Sequence, residues 1–84
     1  MKQIGEVTHY YNKLGVAIVK LKDKLNIGDR IRFGRGETQF DQSVDSMQID
    51  HAGVKTGKKG DEVGVKVAGK AHDGAPVFKL EEGE

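Results

Sequence analysis

The sequence predicts an all-β domain, a small closed or nearly closed six-stranded antiparallel barrel. Short stretches alternate apolar and polar residues with the two-residue period of a strand that buries one face. Glycine occurs 12 times and proline once in 84 residues, a balance typical of short strands joined by tight turns. Two pairs, Gly28-Asp29 and Gly60-Asp61, each precede a stretch rich in β-branched residues. This arrangement indicates a turn that leads into a strand.

The first half of the chain predicts three strands. Residues 4–11 form the first strand, and residues 12–15 form a turn because Asn and Gly tolerate left-handed backbone. Residues 16–21 form the second strand, whose apolar start predicts burial on both faces. Residues 23–29 form a connection in which Leu25 and Ile27 are expected to plug the end of the barrel. Residues 30–33 alternate again, with Ile31 and Phe33 inward and Arg30 and Arg32 outward.

The second half predicts further strands separated by polar loops, which brings the expected total to about six or seven short strands. Residues 62–67 alternate with Val63, Val65 and Val67 on one face, and Pro76 begins the last strand, where its missing N–H is tolerated. The predicted strands span residues 38–40, 43–49, 62–67 and 76–80, with exposed loops at 50–60 and 68–75. Residues 1–80 are therefore expected to form a single domain, and residues 81–84 an acidic, frayed tail.

Composition excludes several classes of protein. There is no cysteine, so neither a disulfide nor a thiolate metal site is available. Residues 1–20 contain no secretion signal, and no apolar stretch approaches the ~20 residues of a membrane helix. A cytoplasmic protein with no membrane partner is expected.

The net charge is +1, but three of the acidic residues are Glu81, Glu82 and Glu84. Residues 1–80 are therefore mildly basic, which is compatible with RNA binding.

The order of these phrases resembles domain two of elongation factor Tu and related translational GTPases. The matching residues are Leu25, Gly28, Asp29, Ile31, Ser46, Val54, Gly60, Asp61, Val63, Gly64 and Val65. The stretches at 5–11 and 44–49 resemble small prokaryotic "translation elongation factor-like" proteins. A similar barrel is found at the C-terminus of a family of collagenase-like peptidases, some of them linked to tRNA modification.

The resemblance to elongation factors implies a pocket for the aminoacylated 3′ end of tRNA. By position, its residues are Gln48, Glu62, Val63 and Gly64. In the alternative interpretation, Gly60-Asp61 is only a tight turn whose Asp side chain accepts hydrogen bonds from backbone N–H groups. Residues 53–59 lack the spacing of a phosphate-binding loop, so neither a GTPase domain nor a nucleotide cofactor is expected.

A basic, partly aromatic surface is the predicted interface with RNA. Lysine and arginine attract a phosphate backbone without reading its sequence, and an exposed tyrosine can stack on a base. The predicted RNA-binding residues are Tyr10, Tyr11, Lys13, Arg30, Arg32, Arg35, Lys55, Lys58 and Lys59. The alternatives are a solvated lysine loop and a tyrosine that caps the barrel or anchors a protein partner.

Neither catalysis nor a metal site is indicated. His9, His51 and His72 stand far apart in the sequence and match no compact zinc motif. No nucleophile turn and no paired carboxylates in an apolar setting are present. No catalytic residue, metal or cofactor is therefore expected. The predicted function is a non-catalytic binding module of the translation-factor type that contacts tRNA or ribosomal RNA. The alternative is a protein-interaction or substrate-presenting module that works in trans with a peptidase-like or tRNA-modifying enzyme.

Overall fold

The computed structural model describes residues 2–80, which form ten β-strands and one turn of 3₁₀-helix. Within this range there is no α-helix. The strands are β1 (Lys2–Tyr11), β2 (Val16–Leu21), β3 (Leu25–Asn26), β4 (Arg30–Phe33), β5 (Phe40–Ser43), β6 (Met47–Ile49), β7 (Ala52–Gly53), β8 (Thr56–Gly57), β9 (Glu62–Lys66) and β10 (Pro76–Lys79). The 3₁₀ turn, Gly36–Thr38, lies between β4 and β5. The predicted acidic tail, residues 81–84, lies outside the described residues.

Eight of the strands form one antiparallel sheet, in the order β5-β4-β10-β1-β2-β9-β6-β7. The long strand β1 is central to it, because it pairs with β2 on one side and with β10 on the other. The remaining two strands, β3 and β8, pair as a short ribbon in which Leu25 faces Gly57. The all-β prediction is confirmed.

The prediction of a closed six-stranded barrel is wrong. The sheet is open and strongly curled, so the domain is a half-barrel of eight strands. Its outermost strands, β5 and β7, are not paired with each other. Instead, the side chain of Gln42 on β5 donates a hydrogen bond to the carbonyl of Lys66 and accepts one from the N–H of Ala68, each at 2.8 Å. This side chain joins β5 to the last residue of β9 and to the segment that follows, whereas a closed barrel would need a backbone ladder between the two edge strands.

The concave side of the sheet holds the hydrophobic core. The predicted alternation is confirmed, since Ile31 and Phe33 on β4 and Val63 and Val65 on β9 are buried. The other buried apolar residues of the core cluster are Ile4, Val7, Ala17, Val19, Leu21, Leu25, Val44, Met47, Ala71 and Val77. Burial of this apolar surface is the main stabilising contribution to a domain of this size.

The two Gly-Asp pairs form matching turns. Gly28 and Gly60 both have φ near +93°, a conformation that glycine adopts without strain. In each turn the aspartate side chain accepts a hydrogen bond from the N–H three residues earlier, Asn26 for Asp29 and Lys58 for Asp61, at 2.8 and 2.9 Å. The turns therefore have the structure that the sequence predicted.

Several predicted boundaries are wrong. The strand expected at 38–40 begins only at Phe40, because the preceding residues form the 3₁₀ turn. The strand expected at 43–49 is reduced to Met47–Ile49, and the loop expected at 50–60 contains β7 and β8. Leu25 is buried as predicted, but Ile27 is 40% exposed and does not plug the end of the sheet.

Candidate functional site

A groove lies on the convex side of the sheet, across β2, β9 and β6. Its volume is about 610 Å³. The lining combines one apolar end with one polar end. The lining residues are Tyr11, Leu14, Val16, Ile18, Gln48, Asp50, His51, Glu62 and Gly64. An open, largely apolar depression of this kind on a small domain is typical of a binding surface.

The floor of the groove is a glycine in the middle strand. Gly64 on β9 pairs with Ile18 on β2 and with Gln48 on β6, so these three residues form a row across the sheet. Because Gly64 has no side chain, the groove runs between its two neighbours. A Cβ at Gly64 would lie 3.5 Å from Val16 and 3.6 Å from Ile18, which is ordinary contact. The glycine is therefore not required by packing within the domain, and its absent side chain creates space.

The apolar end of the groove lies at the first hairpin. Tyr11 is 45% exposed and Leu14 is 70% exposed. The pairing of β1 with β2 shifts register between Val7 and His9. Beyond this shift, the rings of His9 and Tyr11 are in edge-on contact, with their centroids 4.2 Å apart. Two large and exposed apolar side chains therefore line this end of the groove.

The polar end is formed by the turn between β6 and β7 together with Glu62. Asp50 and His51 are the two residues between the paired Ile49 and Ala52, and both have positive φ, 51° and 66°. This is the backbone of a type I′ turn, which usually contains Asn-Gly or Asp-Gly. The turn therefore holds an imidazole in a conformation that costs about 1–2 kcal/mol for a residue with a Cβ. Its position places the Asp50 carboxylate beside the groove, on the same side as Glu62.

The structure places three of the four predicted pocket residues in this groove. Gln48, Glu62 and Gly64 line it, whereas Val63 is 0% exposed and points into the core. The strand alternation explains the difference, because adjacent residues of β9 face opposite sides of the sheet. The groove nevertheless differs from the predicted tRNA pocket. Its charged groups are carboxylates, and among residues 2–80 no lysine or arginine lines it.

The three predicted arginines have partners within the domain. Arg32 forms a two-pronged ion pair with Asp41, at 2.6 and 3.0 Å. Arg35 lies over the ring of Phe78, 5.3 Å from its centroid, and Arg30 reaches Ser43 Oγ at 3.4 Å. Arg32 and Arg35 therefore stabilise contacts on β4, β5 and β10.

The other predicted RNA-binding residues lie on three separate elements. Lys55, Lys58 and Lys59 are exposed around the β3–β8 ribbon, and Lys13 is exposed in the first turn. Tyr10 packs against the core, and its N–H donates to Asp73. The adjacent Tyr11 is exposed, as expected for neighbouring residues of a strand. RNA binding by these residues remains a prediction.

The ion pair of Arg32 and Asp41 predicts a dependence of stability on pH. The guanidinium of Arg32 hydrogen-bonds to Asp41 and lowers the pKa of that carboxyl below its ordinary value of 3.8. A lowered pKa in the folded state adds stability that is present above the unfolded-state pKa and is lost as the pH falls through the folded-state pKa. Asp41→Asn is therefore expected to lose less stability than the parent between about pH 5 and pH 2. Urea unfolding at a series of pH values measures this, with Asp45→Asn as the control. An equal acid sensitivity in the parent and both variants would contradict it.

Several lining residues were missed by the sequence analysis. Leu14 is an apolar residue inside a predicted turn, which is itself unusual. Val16 and Ile18 were expected to be buried, and they are only half-buried at the groove. Asp50 and His51 were assigned to a loop. The outward-facing aliphatic residues of β2 were the available indication of an apolar surface.

Neither a metal cluster nor a membrane helix is found in residues 2–80. No three His, Cys, Asp or Glu side chains in this range are grouped as a metal site would require. The same part of the chain contains no helix with the length and apolar character to cross a bilayer.

The fold and the groove define a small all-β module with an open groove on its sheet. No family model matches the chain. An uncharacterized protease of Methanocaldococcus jannaschii is 40% identical over 81 residues, which are 95% of this chain and 20% of that protein. The chain thus spans about a fifth of the length of this curated relative.

Solved structures show the same fold. The crystal structure of the C-terminal domain of a Geobacillus thermoleovorans protein assigned to the U32 peptidases matches with a TM-score of 0.88. The match covers 95% of this chain and 93% of that domain, at 19% identity. The selenomethionine variant of that domain matches with a TM-score of 0.87 at 20% identity, over 94% of this chain and 100% of that one.

These comparisons correct the predicted identity. They support the resemblance to the collagenase-like peptidases and not the resemblance to domain two of elongation factor Tu. The expected elongation factor-like role in translation is wrong, because the matches are to a protease and to the C-terminal domain of a U32 peptidase.

Proposed function

We propose that this chain is a non-catalytic module that works with a peptidase-like enzyme and binds an extended polypeptide segment in its convex groove. The observation that carries the proposal is the groove itself. Tyr11 and Leu14 are exposed at one end, and Gly64 leaves the floor open between Ile18 and Gln48.

The dimensions and composition of the groove favour a polypeptide. The strands on either side of β9 are about 10 Å apart, since neighbouring strands are separated by about 4.8 Å. One extended chain can lie along a floor of that width. Exposed aromatic and aliphatic side chains with a polar rim are typical of protein interfaces. The carboxylates of Asp50 and Glu62 would repel a phosphate backbone.

The link to a peptidase comes from the comparisons. The curated relative is named a protease, and this chain corresponds to a fifth of it. The matched solved domain is the C-terminal domain of a protein assigned to the U32 peptidases. A module of this size beside a catalytic region is placed to hold a substrate or to position the enzyme on it.

Filling the groove is expected to weaken polypeptide binding. Gly64→Val adds a side chain to the floor, at a position where a Cβ meets only ordinary contacts, and valine is favoured in strands. Wild-type protein, immobilised, is expected to retain a subset of a random peptide library, and the variant is expected to bind those peptides about tenfold more weakly or worse. Affinity selection followed by fluorescence anisotropy measures both.

Gly53→Ala is the matched control for this test. Gly53 lies across from Gln48 on β7, outside the groove lining, and an added Cβ there meets no atom within 4 Å. It should bind the peptides like the parent. If the wild type retains no peptide, the proposal of polypeptide binding fails. If tRNA at low salt shifts the amide signals of residues 53–60 while peptides shift no signal at the groove, the proposal also fails and RNA binding is favoured.

A further inference from the structure

We infer that the groove selects cationic polypeptide segments, in which an apolar side chain is followed closely by lysine or arginine. This inference rests on the proposed function and specifies the chemistry of its ligand. The groove contains two carboxylates, Asp50 and Glu62, and among residues 2–80 it is lined by no lysine or arginine. The whole chain has 14 lysine and arginine residues against 13 aspartate and glutamate residues, so a lining with two carboxylates, the imidazole of His51 and no lysine or arginine is more acidic than the average surface.

The two carboxylates are available to a ligand. Asp50 and Glu62 are both exposed, and within residues 2–80 neither forms an ion pair. Lys20 stands opposite Glu62 in the β2–β9 ladder, but the two side chains do not come within the 4.0 Å of an ion pair. Glu62 is therefore free to accept hydrogen bonds from an ammonium or guanidinium group.

The apolar end of the groove supplies the second half of the recognition. Tyr11, Leu14 and Ile18 present an aromatic and two aliphatic side chains to one ligand segment. A ligand side chain of the Leu or Val type would bury its surface there. In an extended ligand, the next residue on the same face, two positions along, also faces the groove and lies about 7 Å further toward the carboxylates. A lysine or arginine at that position pairs with Glu62 or Asp50.

The test compares two peptides that differ in one charge. The probes are fluorescein-labelled Gly-Ser-Leu-Val-Lys-Val-Leu-Ser-Gly and the same peptide with Glu in place of Lys. Wild-type protein is expected to bind the lysine peptide about tenfold more tightly at low salt, because each exposed charge pair contributes a modest attraction and each like-charge pair a similar repulsion. Raising the salt concentration is expected to reduce this preference.

Neutralising the two carboxylates is expected to remove the preference. The double variant Asp50→Asn with Glu62→Gln should bind both peptides within about threefold of each other. Asparagine is well tolerated at the positive φ of position 50, so the turn is preserved. Glu62→Lys provides a second measurement, since it should shift the preference toward the glutamate peptide. Circular dichroism checks that each variant is folded.

The outcomes separate this inference from the proposed function. If wild type binds both peptides equally, or if the lysine preference persists in the double variant, charge selection by the groove is wrong while polypeptide binding stands. If wild type binds neither peptide and also retains nothing from the random library, both proposals fail together.

Discussion

Phe33→Ala is expected to lower the free energy of unfolding by about 3–5 kcal/mol, the usual cost of removing a buried aromatic ring. Phe33 is among the largest fully buried side chains of the domain, and its ring stacks on Phe40 with centroids 5.1 Å apart. The two residues face each other across β4 and β5, and Val77 faces Phe33 from β10. The substitution therefore opens a cavity where three strands meet.

This loss is large for so small a domain. About 4–13 kcal/mol is the total stability expected for a chain of this length. Urea unfolding followed by circular dichroism measures the change. Phe33→Leu should recover part of the loss because it keeps most of the apolar volume. Leu14→Ala, at a position 70% exposed, should change stability by less than about 0.5 kcal/mol. A similar cost for Phe33→Ala and Leu14→Ala would show that Phe33 is not in the core.

Gly5→Ala is expected to cost about 3 kcal/mol, the upper end of the range for overpacking. Gly5 is buried in β1, where it pairs with Leu21 on one side and Val77 on the other. A Cβ there would lie 2.6 Å from the carbonyl oxygen of Lys20 and 2.9 Å from Val19 Cγ1. The carbonyl belongs to the backbone of β2, so the clash can be relieved only if the central strands separate.

Gly53→Ala is again the appropriate comparison, because its added Cβ meets no atom within 4 Å. It should leave the urea midpoint nearly unchanged or raise it slightly, since alanine restricts the unfolded chain. Parent-like stability of Gly5→Ala would mean that β1 and β2 do not pack as closely as described. Amide hydrogen exchange of Gly5 and Leu21 would locate any loosening in this strand pair.

The sequence predicted which face of a strand is buried, but it did not predict contacts between residues far apart in the chain. The alternation in β4 and β9 predicted which residues face the core, and the Gly-Asp pairs predicted both turns. The two hydrogen bonds of the Gln42 side chain were missed, because their partners Lys66 and Ala68 lie 24 and 26 residues away in the sequence and leave no local pattern. The sequence therefore predicted the all-β class and the inward faces of these strands, but it also predicted a closed barrel, which is wrong.

The groove was predicted only in part. Gln48, Glu62 and Gly64 were identified through the resemblance to elongation factors, which the comparisons do not support, and binding of tRNA at these residues remains a prediction. The β6–β7 hairpin was missed because Asp50-His51 lacks the glycine that usually marks a type I′ turn. The ion pair of Arg32 with Asp41 could not be predicted either. An arginine on the outward face of a strand gives the same sequence pattern whether or not it forms an ion pair.

The adjacency of β1 and β10 determines how this domain can be tethered to a larger protein. Lys2 lies opposite Lys79, so the described chain enters and leaves at one corner. Strand β1 extends from that corner for ten residues to Tyr11, a distance of about 30 Å. A host chain fused at either end would therefore be joined far from the aromatic end of the groove. A ligand that contacts Tyr11 would therefore lie about 30 Å from the junction.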